Sequence, residues 1–325
     1  MKYLSIIIPC YNVADFLPDT IQSLRNLRGA QECEFIFIND GSTDNTLSLI
    51  QNFAKEDNRV VIINQKNAGV SAARNAALKI AKGELILPLD GDDRLRPNAV
   101  EVIRAEIKDA DMLLTPVEVI GSEHVHIRKT NIRKGAYSLY ELYTSCTIFP
   151  TAPKLVYRTA IIRDNNIRFD EDIHSGEVYT FTCHFLSYCH VVMVSDRCFY
   201  QYVMRATSAI HAPNFTKDLS VLTIIDRITS YSATDICKLP SFQLTLFRMC
   251  TSFTYNKYAK LGLTNKEALN VVCQMFQHTL YRKCLSNVAH SKKIPARDRI
   301  LAIYMLTTRI WGYKLMAHLM RIIKI

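Results

Sequence analysis

The sequence predicts an α/β fold, a mostly parallel sheet flanked by helices, followed by a helical C-terminal region. Residues 1–115 alternate short apolar runs with amphipathic stretches, which is the pattern of a parallel sheet covered by helices. From about residue 217 onward only helices are expected. The 325 residues suffice for one large domain and a substantial appendage. We therefore expect two regions, 1–215 and 216–325.

Strands and helices are expected to alternate through the first region. Apolar runs that end in polar residues predict the strands, and capping residues mark the helix ends. Ser42 is expected to cap the helix that follows it, and Pro97 favours a helix start because a missing N–H costs least there. The predicted strands are 4–8, 34–38, 59–63, 84–89, 112–115 and 191–194, and the predicted helices are 14–27, from 43, 70–81 and from 97.

The bulk composition is that of an ordinary globular protein. The apolar content is 49%, and the ten cysteines form no CxxC pair and no Cys/His cluster at zinc spacing. Reduced, mostly buried thiols are therefore expected. The N-terminal apolar stretch is soon broken by proline, and no later run reaches the length of a membrane span. These features predict residence in the cytoplasm.

Polar residues follow three of the predicted strands. Asn39 and Asp40 come after the second strand, Asn67 and Gly69 after the third, and Asp90 begins an acidic loop after the fourth. In an open α/β sheet, ligands bind at the carboxyl ends of the strands. One shared site explains the three loops together.

The loop LDGDD places three carboxylates, those of Asp90, Asp92 and Asp93, in a tight turn after an apolar strand. Three anions so close repel one another without a counter-ion, and hard oxygen ligands suit Mg²⁺ or Mn²⁺. Such an ion would bridge carboxylates to a diphosphate and neutralise a departing nucleotide. A solvated turn that also caps the next helix is the alternative.

Two further motifs suit a nucleotide. In INDGSTD, Asn39 and Asp40 can hydrogen-bond a base or ribose, and Gly41 lets the backbone come close to a ligand. A loop with good turn chemistry is the alternative. In NAGVSAARN, Arg74 lies on the first turns of a helix and can pair with phosphate or ribose oxygens. The usual fate of a lone helical arginine is a surface salt bridge.

The segments SIIIPCYN, INDGSTD, NAGVSAARN and LDGDD, in this order and spacing, resemble the GT-A fold glycosyltransferases of family 2. The resemblance continues more thinly through PKLVYRTAII at 153–162 and FYQYVMRATSAI at 199–210. It implies a nucleotide-sugar donor, expected to be a UDP-sugar. The site residues that it implies are Pro9 and Tyr11 beside the base, Asn39 and Asp40 at uracil or ribose, Arg74 near the nucleotide, Asp90, Asp92 and Asp93 at the metal and donor sugar, Lys154 at the acceptor, and Arg205 and Ser208 at the diphosphate.

The segment RFDEDIHSGEVYTF departs from the family pattern. The family commonly has a Glu-Asp pair after a glycine, and the Asp takes the proton of the acceptor hydroxyl. Here the second position is Val178, which cannot take a proton. The resemblance implies a transfer with inversion, which needs a general base near the nucleophile, so we assign that role to Glu177, with Asp172 in reserve. The alternative is a catalytically impaired protein that binds a nucleotide sugar or a partner transferase at the membrane.

The formal charge of +10 is concentrated near the C-terminus. From Arg282 onward there are ten Lys and Arg against one acid, Asp298. A helix over 300–325 would gather apolar residues on one side and most of the basic ones on the other, which suits an anionic membrane surface. Packing of the apolar side on the rest of the protein is the alternative. Neither interleaved aromatics nor a recognition motif indicates a nucleic-acid partner.

Together these observations predict an inverting, metal-dependent glycosyltransferase in which Asp92 is the catalytic residue that serves a Mn²⁺ or Mg²⁺ ion. The enzyme is expected to move a sugar from a nucleotide-sugar donor to a glycan or lipid-linked acceptor in cell-surface polysaccharide synthesis. It is expected in the cytoplasm, either free or on the cytoplasmic face of the membrane.

Overall fold

The structure is a computed structural model, and it describes residues 2–121, 124–130, 132–145, 155–173, 176–204, 215–250 and 266–307. The chain divides into two compact units. The first consists of Met1–Leu139, Pro150–Glu171 and Tyr188–Ser208, and the second of Tyr140–Phe149, Asp172–Ser187 and Ala209–Ile325. Two internal segments thus group with the C-terminal residues. The boundary expected near residue 215 stays a prediction.

The strands of the described residues form two sheets. They are β1 (Lys2–Cys10), β2 (Cys33–Asp40), β3 (Val60–Gln65), β4 (Gly83–Pro88), β5 (Arg94–Leu95), β6 (Met112–Leu114), β7 (Val117–Ile120), β8 (Val125–Arg128), β9 (Gly135–Tyr137), β10 (Leu155–Arg158), β11 (Val192–Val194) and β12 (Tyr200–Val203). The main sheet has the order β3-β2-β1-β4-β10-β6-β11-β9, and the small sheet has the order β5-β12-β7-β8.

The helices of the described residues cover the sheet in the first unit and make up most of the second. They are α1 (Leu17–Arg25), α2 (Thr46–Glu56), α3 (Val70–Ile80), α4 (Ala99–Ile107), α5 (Leu139–Ser145), α6 (Thr159–Asp164), α7 (Glu177–Leu186), α8 (Phe215–Tyr231), α9 (Thr234–Cys237), α10 (Pro240–Cys250), α11 (Lys266–Gln277), α12 (Thr279–His290) and α13 (296–307).

The main sheet is parallel in its N-terminal half. β1 pairs in parallel with β2 and β4, and β2 with β3, whereas β10 runs antiparallel between β4 and β6. The prediction of an α/β fold with a mostly parallel sheet is confirmed. The small sheet was not foreseen, because its strands are short and come from distant parts of the chain.

The core explains why β1 has no polar face. Residues alternate between the two faces of a strand, and Leu4, Ile6 and Ile8 join a fully buried cluster with Leu17 of α1 and Ile103 of α4. On the other side α3, rich in alanine, packs against β1 and β2. A strand covered on both faces reads as a continuous apolar run. The cysteines that the structure describes are free thiols, and most are buried.

Two helices begin later than predicted, because the segments at their predicted starts hydrogen-bond to each other. α1 begins at Leu17 rather than at residue 14, and α2 begins at Thr46 rather than at residue 43. The N–H groups of Val13 and Ala14 donate to the side chains of Thr46 and Asp44, at 3.0 Å each. The expectation that Ser42 caps α2 was wrong.

The helices of the second unit pack on one another. α8 contacts α7, α11 and α12, and α10 contacts α12. From residue 217 onward the described residues contain helices and turns, as predicted. In α13, Met305 is fully buried and Leu301 and Tyr304 are half-buried, so the described start of this apolar side packs on the protein. Residues 308–325 of the basic tail lie outside the described residues.

None of the described helices has the length and apolar character needed to cross a membrane.

Candidate active site

The loops that follow β1 and β2 are bound to each other. Asn12 has a positive φ of 50° and makes the contact. Its N–H donates to Ser42 Oγ at 3.1 Å, and its Oδ1 accepts from the N–H of Thr43 at 2.8 Å. Pro9 at the end of β1 is half-buried, and the neighbouring Tyr11 is 51% exposed. This edge of the sheet therefore presents an accessible aromatic ring on a fixed loop.

Asp40 ties the loop after β3 to the end of β2. The carboxylate is buried, and its Oδ1 accepts from Gln65 Nε2 at 2.8 Å and from the N–H of Ala68 at 2.9 Å. Its Oδ2 accepts from the N–H of Gly69 at 2.9 Å. The carboxylate thus fixes the backbone that leads into α3. Its expected contact with uracil or ribose stays a prediction.

Gly41 allows the two loops to meet. Its φ is +71°, and a Cβ built on it would lie 2.6 Å from the backbone nitrogen of Asn67. The glycine is required here both by the left-handed backbone and by the space. The close backbone approach that the structure has here is to Asn67, and the predicted approach to a ligand stays a prediction.

Two buried polar atoms near this edge have no hydrogen-bond partner among the described residues, Asn39 Oδ1 and Ser71 Oγ. The amide nitrogen of Asn39 donates to Asn64 Oδ1 at 2.7 Å, which leaves its oxygen facing elsewhere. Ser71 lies in the first turn of α3, two residues after Gly69. Buried polar groups are rarely left unsatisfied, so each atom is a candidate contact for a polar ligand.

Arg74 connects α3 to the acidic loop. Its side chain is 5% exposed, and Nη2 lies 2.8 Å from Asp90 Oδ1. The guanidinium carbon also lies 5.3 Å from the centre of the Phe169 ring. The neighbouring Asn75 exchanges hydrogen bonds with the backbone of Phe169, at 2.9 Å in both directions. The alternative that Arg74 forms a salt bridge on the surface is wrong, because the side chain is buried.

The Asp90–Asp93 loop is held from the small sheet. The buried Asp93 accepts from Tyr200 Oη at 2.7 Å and from the N–H of Val203 at 2.9 Å. Tyr200 Oη also accepts from the N–H of Asp90 at 3.2 Å. Burial and the charges of Asp93 and Asp90 raise the pKa of Tyr200 well above its ordinary value. The hydroxyl therefore stays protonated and donates to Asp93.

The three carboxylates of the loop face different surroundings. Asp90 is oriented by Arg74 and Asp93 by Tyr200, whereas Asp92 is half-buried. Within the described ranges, no three His, Cys, Asp or Glu side chains are arranged to hold a metal ion. The carboxylates of Asp90, Asp92 and Asp93 therefore do not form a three-ligand cage. Mg²⁺ commonly binds through one or two carboxylates with waters and phosphates, which this loop can supply.

Glu177 and Asp172 belong to the second unit. Glu177 is the first residue of α7 and follows Gly176, whose φ is +89°. It is half-buried, and its backbone carbonyl accepts from Thr180 Oγ1. Asp172 is exposed, and its carboxylate lies 3.8 Å from Arg227. Lys154, Arg205 and Ser208 lie outside the described residues, so their assigned roles stay predictions.

Some residues of the site were missed by the sequence reading. Asn12 and Asn75 stood inside the recognised motifs, so the sequence offered a reason to assign a role to their side chains. Tyr200 stood inside the segment 199–210, but its partner Asp93 lies 107 positions away, so the sequence did not indicate their contact.

The N-terminal half of the chain matches a known protein family. Residues 5–165 match the profile of glycosyl transferase family 2. Through this domain the chain belongs to glycosyl transferase family 2, and its sheet and helices form the GT-A fold, as the four motifs predicted.

Particular relatives resemble the chain over different extents. The poly(ribitol-phosphate) beta-N-acetylglucosaminyltransferase TarS of Staphylococcus aureus is 29% identical over 205 residues, which are 62% of this chain and 35% of TarS. The chain thus spans about a third of the length of that relative. The uncharacterized glycosyltransferase YibD of Escherichia coli is 24% identical over 310 residues, 89% of this chain and 88% of YibD.

A solved structure shares the fold. The crystal structure of residues 1–349 of S. aureus TarS in complex with UDP-GlcNAc matches with a TM-score of 0.76 and 21% sequence identity. The match covers 99% of this chain and 92% of that structure.

Proposed function

We propose that the protein is an inverting glycosyltransferase that moves a sugar from a nucleotide sugar to a hydroxyl of a glycan or lipid-linked acceptor. One observation carries the proposal: the polar loops at the carboxyl edge of the sheet are held in place by Asp40, Arg74 and Asp93. Ligands bind at this edge in open α/β sheets. Membership of family 2 and the naming of TarS as an N-acetylglucosaminyltransferase support the same reaction class.

The nucleotide is proposed to bind over the loops after β1 and β2. The exposed ring of Tyr11 can stack on a base, as amphipathic aromatic rings do, with Pro9 beside it. Asn39 and Ser71 offer buried polar atoms that lack a hydrogen-bond partner among the described residues. Arg74 contributes positive charge where the diphosphate would lie. UDP is the expected nucleotide, and the TarS structure with UDP-GlcNAc supports this choice.

A divalent cation, Mn²⁺ or Mg²⁺, is proposed to bind at Asp92 and Asp90. Their oxygens are hard ligands at the end of a rigid strand, and Asp92 is reachable from solvent. Asp93 has a different proposed role, since both of its oxygens accept hydrogen bonds from β12 and thereby orient the loop. The chemistry that such an ion supplies is neutralisation of the charge on the departing diphosphate.

Glu177 is the proposed general base. In the inverting reaction the acceptor oxygen attacks the anomeric carbon, the bond from that carbon to the diphosphate breaks, and the hydroxyl proton passes to the carboxylate. Glu177 lies in the first turn of α7, where the helix dipole interacts favourably with negative charge. Asp172 is the reserve base. Val178 motivates the second candidate function, a nucleotide-sugar-binding protein without turnover.

The assay that tests the proposal is release of UDP from a panel of UDP-sugars in the presence of Mn²⁺. The wild-type protein should release UDP from at least one donor, slowly to water and faster with an acceptor glycan. Glu177→Gln should abolish acceptor-dependent release while UDP still binds, whereas Asp172→Asn should retain that release, which tests the reserve base. UDP binding without turnover of any donor would favour the non-catalytic candidate, and full activity of Glu177→Gln would end the assignment of the base.

Cell-surface polysaccharide synthesis on the cytoplasmic side of the membrane is the proposed setting. Two observations support this setting: TarS is named as a transferase acting on poly(ribitol-phosphate), and the C-terminal region of the chain is basic. Attachment of that region to anionic lipid can be tested by co-sedimentation with phosphatidylglycerol vesicles. A chain shortened at residue 307 should lose that binding if the tail carries it, and equal sedimentation of both chains would contradict the membrane role.

A further inference from the structure

A cavity of about 220 Å³ lies in the second unit, among α8, α9, α10 and α12. Phe242 and Leu246 form part of an apolar wall, and Lys238, Lys283 and Asn287 form part of a polar rim. Among the described residues that line it, none is acidic. The cavity is therefore a positively charged recess with an apolar back.

The two ammonium groups come from different segments of the chain. Lys238 directly follows α9, and Lys283 lies on α12; both are exposed. The nearby Asp235 lies on α9 but does not line the cavity. Two lysines around one recess favour binding of an anion with several acceptor oxygens, such as a phosphate, because each ammonium offers three donors and no acceptor.

Gln243, on the same cavity, has a buried amide oxygen without a hydrogen-bond partner among the described residues. Its Nε2 donates to the backbone carbonyl of Cys237 at 2.5 Å, which assigns the amide nitrogen to that side. Its Oε1 is buried and has no hydrogen-bond partner among the described residues. Gln243 lines the cavity, and a buried oxygen without a partner is a candidate acceptor for a donor on a bound molecule. A hydroxyl group would satisfy it.

We propose that this cavity binds a phosphate ester that carries a free hydroxyl, as a phosphorylated sugar or polyol does. The phosphate lies between Lys238 and Lys283, the hydroxyl donates to Gln243 Oε1, and the carbon skeleton packs on Phe242. The site goes beyond the proposed function and does not depend on it, since residues of the second unit alone build it.

Calorimetric titration of the full chain with glycerol 3-phosphate, inorganic phosphate and glycerol tests the proposal. Glycerol 3-phosphate should bind with saturation. Inorganic phosphate should bind about tenfold more weakly, since it lacks the hydroxyl bond to Gln243 and the carbon skeleton on Phe242, and glycerol should not bind measurably, since it lacks the charged phosphate. The double variant Lys238→Gln with Lys283→Gln should weaken glycerol 3-phosphate binding by about tenfold or more. Lys292→Gln with Lys293→Gln removes the same charge from an exposed turn and should change nothing.

Gln243→Leu should remove the preference for glycerol 3-phosphate over inorganic phosphate, with thermal unfolding as the check that the variant folds. Vesicles of phosphatidylglycerol, compared with phosphatidylcholine, distinguish a lipid headgroup from a free phosphate ester as the source. Binding to either source that the Lys238 and Lys283 changes weaken supports the site.

Three results would overturn the proposal. They are no saturable binding of glycerol 3-phosphate or of phosphatidylglycerol vesicles, equal weakening by the Lys292 and Lys293 control, and equal affinity for inorganic phosphate. UDP titration of the same variants keeps the two proposals apart. A chain that binds glycerol 3-phosphate but no nucleotide would support this site and contradict the proposed function.

Discussion

Removal of the Tyr200 hydroxyl isolates the contact that holds the acidic loop. The ring of Tyr200 is fully buried, so Tyr200→Phe keeps the packing and deletes two hydrogen bonds, the 2.7 Å bond to Asp93 and the 3.2 Å bond from Asp90. A hydrogen bond to a charged group contributes about 1.5–3 kcal/mol and a neutral one about 0.5–1.5 kcal/mol. We expect the free energy of unfolding to fall by about 2–4 kcal/mol.

The same substitution should weaken ligand binding, because the loop that carries Asp92 loses its attachment to β12. Affinity for UDP in the presence of Mn²⁺ should fall by about tenfold, which corresponds to about 1.4 kcal/mol. Urea unfolding measures the first quantity and calorimetry the second. Tyr202→Phe, in the same strand and half-buried, is the matched control and should change neither.

The stabilisation by Tyr200 should also depend on pH in a definite direction. Its pKa in the folded protein is raised above the ordinary value of 10.0, so the protonated hydroxyl is favoured by folding. The stability that it contributes is complete below about pH 10 and is lost as the pH rises further. The difference between wild type and Tyr200→Phe should therefore be constant from about pH 7 to 9. Unchanged stability and unchanged UDP affinity in Tyr200→Phe would refute the reasoning.

Three further predictions concern the other fixed contacts. Arg74→Gln should lower the free energy of unfolding by about 2–3 kcal/mol in urea titrations, because it removes the 2.8 Å pair with Asp90. Asp40→Asn should cost about 2 kcal/mol in the same assay, since an amide nitrogen would face backbone N–H groups, and should weaken UDP binding in calorimetry. The hydrogen bond with Arg96 lowers the pKa of Glu118 below its ordinary value of 4.5, so the stability from this pair is present above about pH 4.5 and is lost as the pH falls further, through the lowered pKa. Acid unfolding of Glu118→Gln should lack that component.

Control variants separate these effects from a general change of charge. Lys79→Gln removes a positive charge from the exposed side of α3, and Asp15→Asn removes a negative charge from an exposed position. Each should leave stability and UDP affinity unchanged. Weaker UDP binding in the controls, unchanged stability of Arg74→Gln, or unchanged UDP affinity of Asp40→Asn would contradict the roles given to the fixed contacts.

The arrangement of the first four strands could be predicted because its signals are local. Each strand is an apolar run that stops at polar residues, and each stop lies within a few residues of a glycine or an acid that the sequence displays. The gathering of Asp40, Gly69 and Asp90 at one edge followed from the rule that parallel strands end at the same side.

The contacts that hold the site residues in place could not be predicted, because they join segments that are distant in the sequence. β10 enters the main sheet antiparallel, between β4 and β6, and short β12 brings Tyr200 to Asp93. No local pattern distinguishes Tyr200 from the other aromatic residues near it. The helix starts were misjudged for a similar reason, since Ser42 serves Asn12 across 30 residues rather than the helix after it.

The measurement that tests the central claim most directly is calorimetric titration of the protein with UDP, with and without Mn²⁺. We expect saturable binding that Mn²⁺ strengthens, lost in Asp92→Ala and retained in Asp109→Ala, an exposed aspartate away from the loop. Absence of binding to UDP and to other nucleoside diphosphates under every metal condition would contradict the account of a nucleotide-sugar site at this edge of the sheet.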